Sequence, residues 1–174
     1  MFKKLFGLDK KQEAKPVQPE EEIIHSPLNG TYVEIEQVPD PTFSQKMMGD
    51  GFAIEPSDGK VVAPVSGEIM QVFPTKHAVG IKTPGGAEIL LHIGLDTVTM
   101  NGEGFTAHVK EGDKVKVGDV LVEFDLVLVK EKASSIITPV VVTNPDKVAQ
   151  FSKEPAAKEV KAGETPLLKL KMKG

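Results

Sequence analysis

From Ile23 onward the chain alternates short apolar runs with turn residues. The runs are rich in Val, Ile and Leu, and clusters of Gly, Pro, Asn and Asp separate them. With 16 Gly and 13 Pro in 174 residues, few stretches are left in which a long helix could form. This pattern predicts an all-β, antiparallel sandwich or barrel with at most short helical turns, near residues 130–135 and 146–150. The predicted strands cover residues 61–62, 68–73, 78–82, 88–93, 120–129, 136–142 and 167–172.

A weak internal repeat suggests how the sheets are built. Residues 26–33 (SPLNGTYV) resemble residues 63–70 (APVSGEIM), and each copy is followed by a polar stretch and a proline. Residues 109–121 resemble the hairpin of biotinyl and lipoyl carrier domains, although the chain lacks the lysine tripeptide that holds biotin or lipoate there. We therefore expect a sandwich, or barrel-sandwich, built from duplicated halves, unless common turn chemistry alone produces the repeat.

The first 22 residues differ in composition from the rest of the chain. Residues 9–22 (DKKQEAKPVQPEEE) are charged and contain two prolines, which is typical of a flexible linker. Residues 1–8 are either a basic amphipathic anchor for a membrane surface or an idle tail. We expect residues 23–174 to form a single domain. The anchor hypothesis rests on apolar side chains at i, i+3 and i+4 with two lysines beside them: Phe2, Leu5, Phe6, Lys3 and Lys4.

Composition argues against several classes of function. The formal net charge is −4 and aromatic residues make up 5% of the chain, so a basic, aromatic face for nucleic acid is not expected. The chain has no Cys, which rules out thiolate metal sites and fits a reducing compartment. We find neither a membrane-spanning apolar run nor a signal peptide, and no Walker loop, dinucleotide fingerprint or nucleophile elbow. We expect a cytoplasmic protein, in contact with a membrane at most peripherally.

Two histidines in apolar, Gly-punctuated segments are the candidate chemistry. Histidine can be a neutral nucleophile, a proton carrier or a metal ligand near neutral pH. If residues 88–94 are extended, alternation places Ile89, Leu91 and Ile93 on the core face. His92 then points out of the core face, where a reacting group could reach it.

The second of these histidines is His77. The same alternation puts it on one face with Thr75, Val79 and Ile81. Thr75 is close enough along the chain to hydrogen-bond the ring and fix its tautomer, which decides which nitrogen is free to react. Neighbouring strands lie about 4.8 Å apart, so two adjacent strands can bring the rings of His77 and His92 together.

Other polar residues have weaker signals. Asp96 follows His92 by four residues, and its carboxylate could orient the imidazole or screen its charge. A lone His in an apolar strand is more often a satisfied structural residue than a catalyst, and we interpret His25 and His108 as solvated surface. Asp40, beside two prolines, is interpreted as a turn residue. We assign three aromatic residues to the core, although an exposed one beside the histidines would mark a docking surface: Phe43, Phe52 and Phe73.

The motifs around the two histidines resemble those of the glucose-class IIA proteins of the bacterial phosphoenolpyruvate-dependent sugar phosphotransferase system. The resemblance runs from about residue 24 to residue 173. Its most specific part is the stretch 91–98 (LHIGLDTV) together with the upstream stretch 75–78 (TKHA). Further matching stretches are 61–67 (VVAPVSG), 102–105 (GEGF), 115–119 (VKVGD) and 123–125 (EFD).

This resemblance implies an antiparallel β-sandwich with a shallow apolar depression that holds both histidines. It implies that His92 accepts the phosphoryl group and that His77, positioned by Thr75, is its stabilising neighbour. The implied partners are a histidine-containing phosphocarrier protein, which gives the group, and the IIB domain of a membrane sugar permease, which takes it. No cofactor is required. Two acidic residues would flank the pocket and two aromatic residues would form its docking rim: Asp40, Asp96, Phe43 and Phe73.

The alternative is a non-catalytic module that binds a metal ion or regulatory proteins through His77 and His92. Two histidines are too few for tetrahedral zinc, so a carboxylate or water would have to complete the site. The resemblance itself allows zinc to be shared across an interface with a regulatory target. A measurement of phosphoryl uptake distinguishes the phosphoryl carrier from the binding module.

Overall fold

The computed structural model describes residues 21–155 and 158–174, and strands dominate these residues. The strands are β1 (Glu22–His25), β2 (Gly30–Glu34), β3 (Asp50–Pro56), β4 (Lys60–Val62), β5 (Gly67–Val72), β6 (Ala78–Lys82), β7 (Glu88–His92), β8 (Phe105–Ala107), β9 (Lys114–Val115), β10 (Val120–Phe124), β11 (Thr138–Val142), β12 (Val148–Lys153), β13 (Glu159–Val160) and β14 (Pro166–Met172). The helices are short: α1 (Pro41–Ser44), α2 (Leu126–Lys132) and 3₁₀ turns at Ile35–Gln37, Thr97–Met100 and Pro145–Lys147. The all-β prediction is confirmed.

The strands form one large and two small antiparallel sheets. The large sheet has the order β13-β2-β3-β11-β7-β6-β5-β9, and the small sheets have the orders β1-β14-β12 and β4-β10-β8. β7 lies inside the large sheet, paired with β11 on one side and β6 on the other. Because both of its edges are hydrogen-bonded, the strand that ends at His92 is firmly held.

β7 is buried on both faces. Ile89 and Leu91 are 2% and 0% exposed and belong to the main apolar cluster, as the alternation predicts. Leu90, on the opposite face, is only 8% exposed because a second, smaller cluster covers it. Burying one such side chain contributes about 1.5–3 kcal/mol, so both faces fix the strand. The other buried members of this second cluster are Ile35, Val38, Phe43, Ala53, Ala78, Leu95 and Val141.

The internal repeat is visible as reciprocal hydrogen bonds. The N–H of His25 donates to the carbonyl of Pro64 at 2.8 Å. The N–H of Val62 donates to the carbonyl of Pro27 at 2.9 Å. Positions 25 and 62, and likewise 27 and 64, are equivalent in the two copies of the repeat. The two copies of the repeat therefore contact each other in the same way in both directions, which agrees with the expectation of duplicated halves.

The predicted strand 120–129 is wrong in its second half. β10 ends at Phe124 and α2 begins at Leu126. The side chain of Asp125 accepts a hydrogen bond from the N–H of Leu128 at 3.1 Å, so it caps the helix N-terminus. The apolar run continues across this boundary, which is why hydrophobicity alone did not reveal the change from strand to helix.

Three further boundaries differ from the predictions. The helical turn expected at 130–135 ends at Lys132, as the end of α2. Only the start of the turn expected at 146–150 is helical, because β12 begins at Val148 and pairs with β14. α1 was not predicted, although Asp40 caps it and Pro41 occupies its first turn, both of which are helix-start signals.

The predicted membrane anchor, residues 1–8, lies outside the described residues, as do residues 9–20 of the predicted linker. The last residue of that linker, Glu22, is already the first residue of β1. No helix in the described ranges is long and apolar enough to cross a membrane.

Candidate active site

The β6–β7 pair brings the two histidines together. Ala78 stands opposite His92 in the antiparallel register, and His77 immediately precedes Ala78. The ring centroids of His77 and His92 are 5.0 Å apart, and the ring planes meet at 80°. The rings therefore meet edge to face, close enough for one phosphoryl group to touch both.

Strand alternation does not explain the position of His77. It predicts that His77 shares a face with Val79 and Ile81, but those side chains are fully buried in the main cluster. Instead, His77 lies in the turn before β6, where Lys76 has a left-handed backbone (φ 62°). The turn redirects the ring toward His92, on the other side of the sheet. The predicted face of Thr75 and His77 is wrong because the strand begins one residue after His77.

Two phenylalanines extend the histidine pair into a row of four rings. The centroids of Phe43 and His92 are 5.1 Å apart, and those of Phe73 and His77 are 5.6 Å apart. Phe43 is only 3% exposed, so it forms a wall of the site and not the exposed docking rim that was expected. Phe73 is half-buried and remains accessible at the other end of the row.

A backbone carbonyl orients His92. Nδ1 of His92 lies 2.7 Å from the carbonyl oxygen of Gly94. A carbonyl can only accept, so in the neutral ring Nδ1 carries the proton and Nε2 keeps its lone pair. Gly94 has φ 70°, and a Cβ there would lie 2.8 Å from Cγ2 of Thr97 and 2.9 Å from the oxygen of Ser135. Sequence reasoning missed the role of this carbonyl, although the glycine two residues after the histidine was the available signal.

His77 has the partner that the sequence suggested. Oγ1 of Thr75 lies 2.5 Å from Nδ1 of His77. The hydroxyl can donate or accept, so the tautomer of His77 depends on which group supplies the proton. In either case the bond holds the ring beside His92.

Burial keeps both rings neutral. His77 is 4% exposed, and burial, helped by the neighbouring His92, lowers the pKa of His77 from 6.5 to about 4. Burial also lowers the pKa of His92, against the opposing influence of the Gly94 carbonyl and of the carboxylates of Asp40 and Asp96. Desolvation therefore outweighs the negative charges nearby.

The two carboxylates flank His92 without hydrogen-bonding to it. Asp40 accepts a hydrogen bond from the N–H of Thr42 at 3.0 Å, as the N-cap of α1. Asp96 accepts one from the hydroxyl of Ser134. Asp96 thus does not orient the imidazole, which was one of the two roles expected for it; the Gly94 carbonyl does. The charge of Asp96 still acts on His92 through space.

Sequence reasoning missed an exposed apolar group beside the site. Met47 and Met48 follow α1, the helix of Phe43, and are 70% and 40% exposed. Val98, in the 3₁₀ turn after Asp96, is 52% exposed. Single apolar side chains on a surface are common, but these three belong to segments that also contain Phe43 and Asp96, which makes them candidates for contact with another protein.

The other two histidines lie elsewhere. His108 is exposed and contacts Glu123 at 2.8 Å, which agrees with a solvated position. His25 is half-buried in β1, and its ring contacts the carbonyl of Pro64 at 3.2 Å, so its assignment to the solvated surface is wrong. Across residues 21–155 and 158–174, no three side chains of metal-ligating type are grouped to hold an ion.

Comparisons with known proteins agree on one family. Residues 22–148 match the family model described as phosphoenolpyruvate-dependent sugar phosphotransferase system, EIIA 1. The chain is 73% identical over 174 residues to a "PTS system glucose-specific EIIA component" of Halalkalibacterium halodurans, with 100% of both chains covered. It is 54% identical to the protein of that name in Bacillus cereus, covering 99% of this chain and 100% of that one. The structure matches glucose permease IIA from Mycoplasma capricolum with a TM-score of 0.80 and 42% identity, covering 86% and 96% of the chains.

The low pKa of His77 predicts acid sensitivity. Between pH 6.5 and about 4 the unfolded chain binds a proton at this position that the folded chain does not bind. The free energy of unfolding should therefore fall as the pH falls through this window and level off below it. We expect His77→Gln to reduce this dependence in urea denaturation at a series of pH values, whereas His108→Gln, at an exposed position, should retain it. An equal pH dependence in His77→Gln and the unmodified protein would contradict the assignment.

Proposed function

Because the chain belongs to the EIIA 1 family of the phosphoenolpyruvate-dependent sugar phosphotransferase system, it is a phosphoryl carrier of sugar uptake, and we propose that His92 is the residue that carries the group. The observation that supports this most is the hydrogen bond from Nδ1 of His92 to Gly94. It leaves Nε2 with a free lone pair in a half-buried position. A neutral imidazole with one free nitrogen is a ready nucleophile for phosphorus.

In the proposed transfer, the donor is the phosphorylated histidine-containing phosphocarrier protein. Nε2 of His92 attacks phosphorus in line, a new N–P bond forms, and the N–P bond to the donor's imidazole breaks with its electron pair returning to that ring. No proton has to leave His92, because Nδ1–H stays on the Gly94 carbonyl. In the second step a cysteine thiolate of the IIB domain attacks phosphorus, and the pair of the broken N–P bond returns to Nε2.

We propose that His77 donates a hydrogen bond to the transferring oxygens. If the hydroxyl of Thr75 donates to Nδ1 of His77, the neutral ring must carry its proton on Nε2, which is then available to donate to the phosphoryl group. A donor in a dry, preorganised site stabilises charge more than the same donor in water does. The burial that lowers the pKa of His77 also keeps water away from the phosphorus.

The partners would dock on the apolar patch around the row of rings. Met47 and Met48, which follow the helix of Phe43, and Val98, which follows Asp96, are exposed, and Phe73 is partly accessible. The carboxylates of Asp40 and Asp96 lie close to His92 and offer contacts to cationic side chains of either partner. One surface would serve the phosphocarrier protein and the IIB domain in turn, which suits a relay in which each complex is brief.

The names of the relatives support glucose as the sugar served. Glucose phosphorylation by membranes that carry a glucose-class permease should then depend on addition of this protein, and lack of dependence would contradict this choice.

The proposed transfer needs no cofactor. Zinc would bind His77 and His92 only where a regulatory partner supplies the missing ligands, and the family does not favour such a module as the main function.

Phosphorylation of His92 is tested by intact-protein mass measurement. After incubation with phosphoenolpyruvate and the two upstream phosphotransferase proteins, we expect one added phosphoryl group on the unmodified chain and none on His92→Ala. The modification should be labile in acid and stable in alkali, as a phosphoimidazole is. His108→Ala, which alters a histidine outside the site, should be phosphorylated normally. Phosphate uptake by His92→Ala would refute the assignment.

Replacement of His77 tests its role as a donor. We expect His77→Ala to accept a phosphoryl group on His92 but to pass it on about 10²–10³-fold more slowly, which is typical for loss of one donor to developing charge. His77→Gln should recover part of the rate, because the amide can donate in place of the ring. Rapid-quench measurement of transfer to a IIB domain gives both rates, and an unchanged rate in His77→Ala would remove this role.

We further propose that residues 1–8 deliver the domain to a membrane surface from the cytoplasmic side. Each basic residue near an anionic surface contributes about 1 kcal/mol, and Lys3 and Lys4 stand beside the apolar positions. Co-sedimentation with vesicles compares the full chain with a chain lacking residues 1–8. We expect binding by the full chain only, and only with anionic lipid. Equal sedimentation of the two chains would support the idle-tail alternative.

A further inference from the structure

Two buried threonines hold the peptide group between Ile93 and Gly94. The carbonyl of Ile93 accepts a hydrogen bond from Oγ1 of Thr97 at 2.6 Å. The N–H of Gly94 donates to Oγ1 of Thr138 at 3.4 Å. Both threonines are 0% exposed. The polar atoms on both sides of one peptide plane are thus bound by side chains that water cannot replace.

This peptide immediately precedes the carbonyl that orients His92. The next peptide group contains the Gly94 carbonyl, which accepts from Nδ1 of His92 at 2.7 Å. Its N–H, on Leu95, donates to the carbonyl of Ser135 at 2.9 Å. Gly94 adopts φ 70°, and glycine moves between such conformations at little cost. A loop with a glycine at its centre holds a carbonyl in one direction only if the flanking peptides are fixed.

We propose that Thr97 and Thr138 are positioning residues for His92, because they lock the Ile93–Gly94 peptide and so aim the Gly94 carbonyl at Nδ1. The consequence for phosphoryl transfer rests on the proposed function of His92. A Gly94 carbonyl that turns away releases the proton on Nδ1. The ring can then exchange to the tautomer with its proton on Nε2, which has no lone pair for phosphorus.

The hydrogen bonds of Thr138 fix which way its hydroxyl group points. Its hydroxyl donates to the carbonyl of Ile136 at 3.0 Å, so its hydrogen is committed and a lone pair faces the N–H of Gly94. The hydroxyl of Thr97 is committed as a donor to Ile93. A buried hydroxyl or carbonyl without a partner is destabilising, so the peptide cannot rotate without a loss at both ends.

The test uses Thr97→Val and Thr138→Val, which keep the side-chain volume and remove the hydroxyl. Thr97→Ser and Thr138→Ser restore the hydroxyl and serve as rescue variants. Thr83→Val is the matched control, since Thr83 is also buried, at 3% exposure, and its hydroxyl bonds Glu22 and the N–H of Ala87. It lies just beyond the other end of the β6–β7 pair. Thr138→Val removes the longer of the two hydrogen bonds to the Ile93–Gly94 peptide. It provides the test of the positioning role if Thr97→Val does not fold.

The first readout is the ¹⁵N spectrum of the His92 ring in the unphosphorylated, folded protein. We expect the unmodified chain, the Ser variants and Thr83→Val to show a single tautomer with the proton on Nδ1. The Val variants at positions 97 and 138 should show a mixture of tautomers. A Val variant that folds with the wild-type ring signals, or the same mixture in Thr83→Val, would overturn the proposal.

The second readout is the rate at which His92 accepts a phosphoryl group from the phosphorylated phosphocarrier protein. We expect the rate in the Val variants to fall at least by the factor by which the tautomer with a free Nε2 is depopulated in the ring spectrum, and further where the ring is also misaligned. The Ser variants and Thr83→Val should stay near the wild-type rate, and a rate unchanged in the Val variants would contradict the inference. A mixture of tautomers in the Val variants, with no phosphoryl uptake even by the unmodified chain, would support the positioning role while refuting the proposed function.

Discussion

The hydrogen bond between Nδ1 of His92 and the carbonyl of Gly94 determines which nitrogen of the ring is free to react. It commits one ring nitrogen to the backbone and leaves the other free, so the protein selects a tautomer without a charged partner. Gly94, two residues after the end of β7, adopts φ 70°, and this turn brings its carbonyl to the ring. β7 in turn is fixed by strands on both edges and apolar clusters on both faces. A flexible loop could contain the same residues, but it would not fix which nitrogen of His92 keeps its lone pair.

Burial and charge act on the site in opposite directions, and burial prevails. Asp40 and Asp96 favour a protonated His92, yet desolvation still lowers its pKa. Both carboxylates are engaged elsewhere, by Thr42 and by Ser134, and this keeps them from forming ion pairs with the ring. The result is a neutral nucleophile in a negative surrounding. A neutral ring nitrogen among negative charges suits the role proposed for His92, because it can act as a nucleophile without a counter-ion.

The histidine site is not repeated in the two copies of the internal repeat. The two copies of the repeat contact each other through reciprocal hydrogen bonds at Pro27 and Pro64. Both histidines of the site belong to one segment, which consists of the β6–β7 pair and the turn before β6. The second apolar cluster lies over this pair and includes Phe43 from α1, a helix outside the predicted strand pattern. Elements outside the repeat, such as α1, thus complete the site around the β6–β7 hairpin.

The local pattern of the sequence determined seven of the fourteen described strands, the inward face of β7 and the Thr75–His77 pair, because these depend on residues near one another in the chain. Asp96 and Phe43 were placed near the site correctly, but their roles could not be deduced. A carboxylate binds whichever donor the fold brings to it, here Ser134, and an aromatic ring becomes a wall or a rim according to what covers it. Only the tertiary structure decided that His77 turns toward His92, since a single left-handed residue, Lys76, reverses the alternation. The choice of the free nitrogen was likewise tertiary, because Gly94 marks a turn after His92 but does not reveal where its carbonyl points.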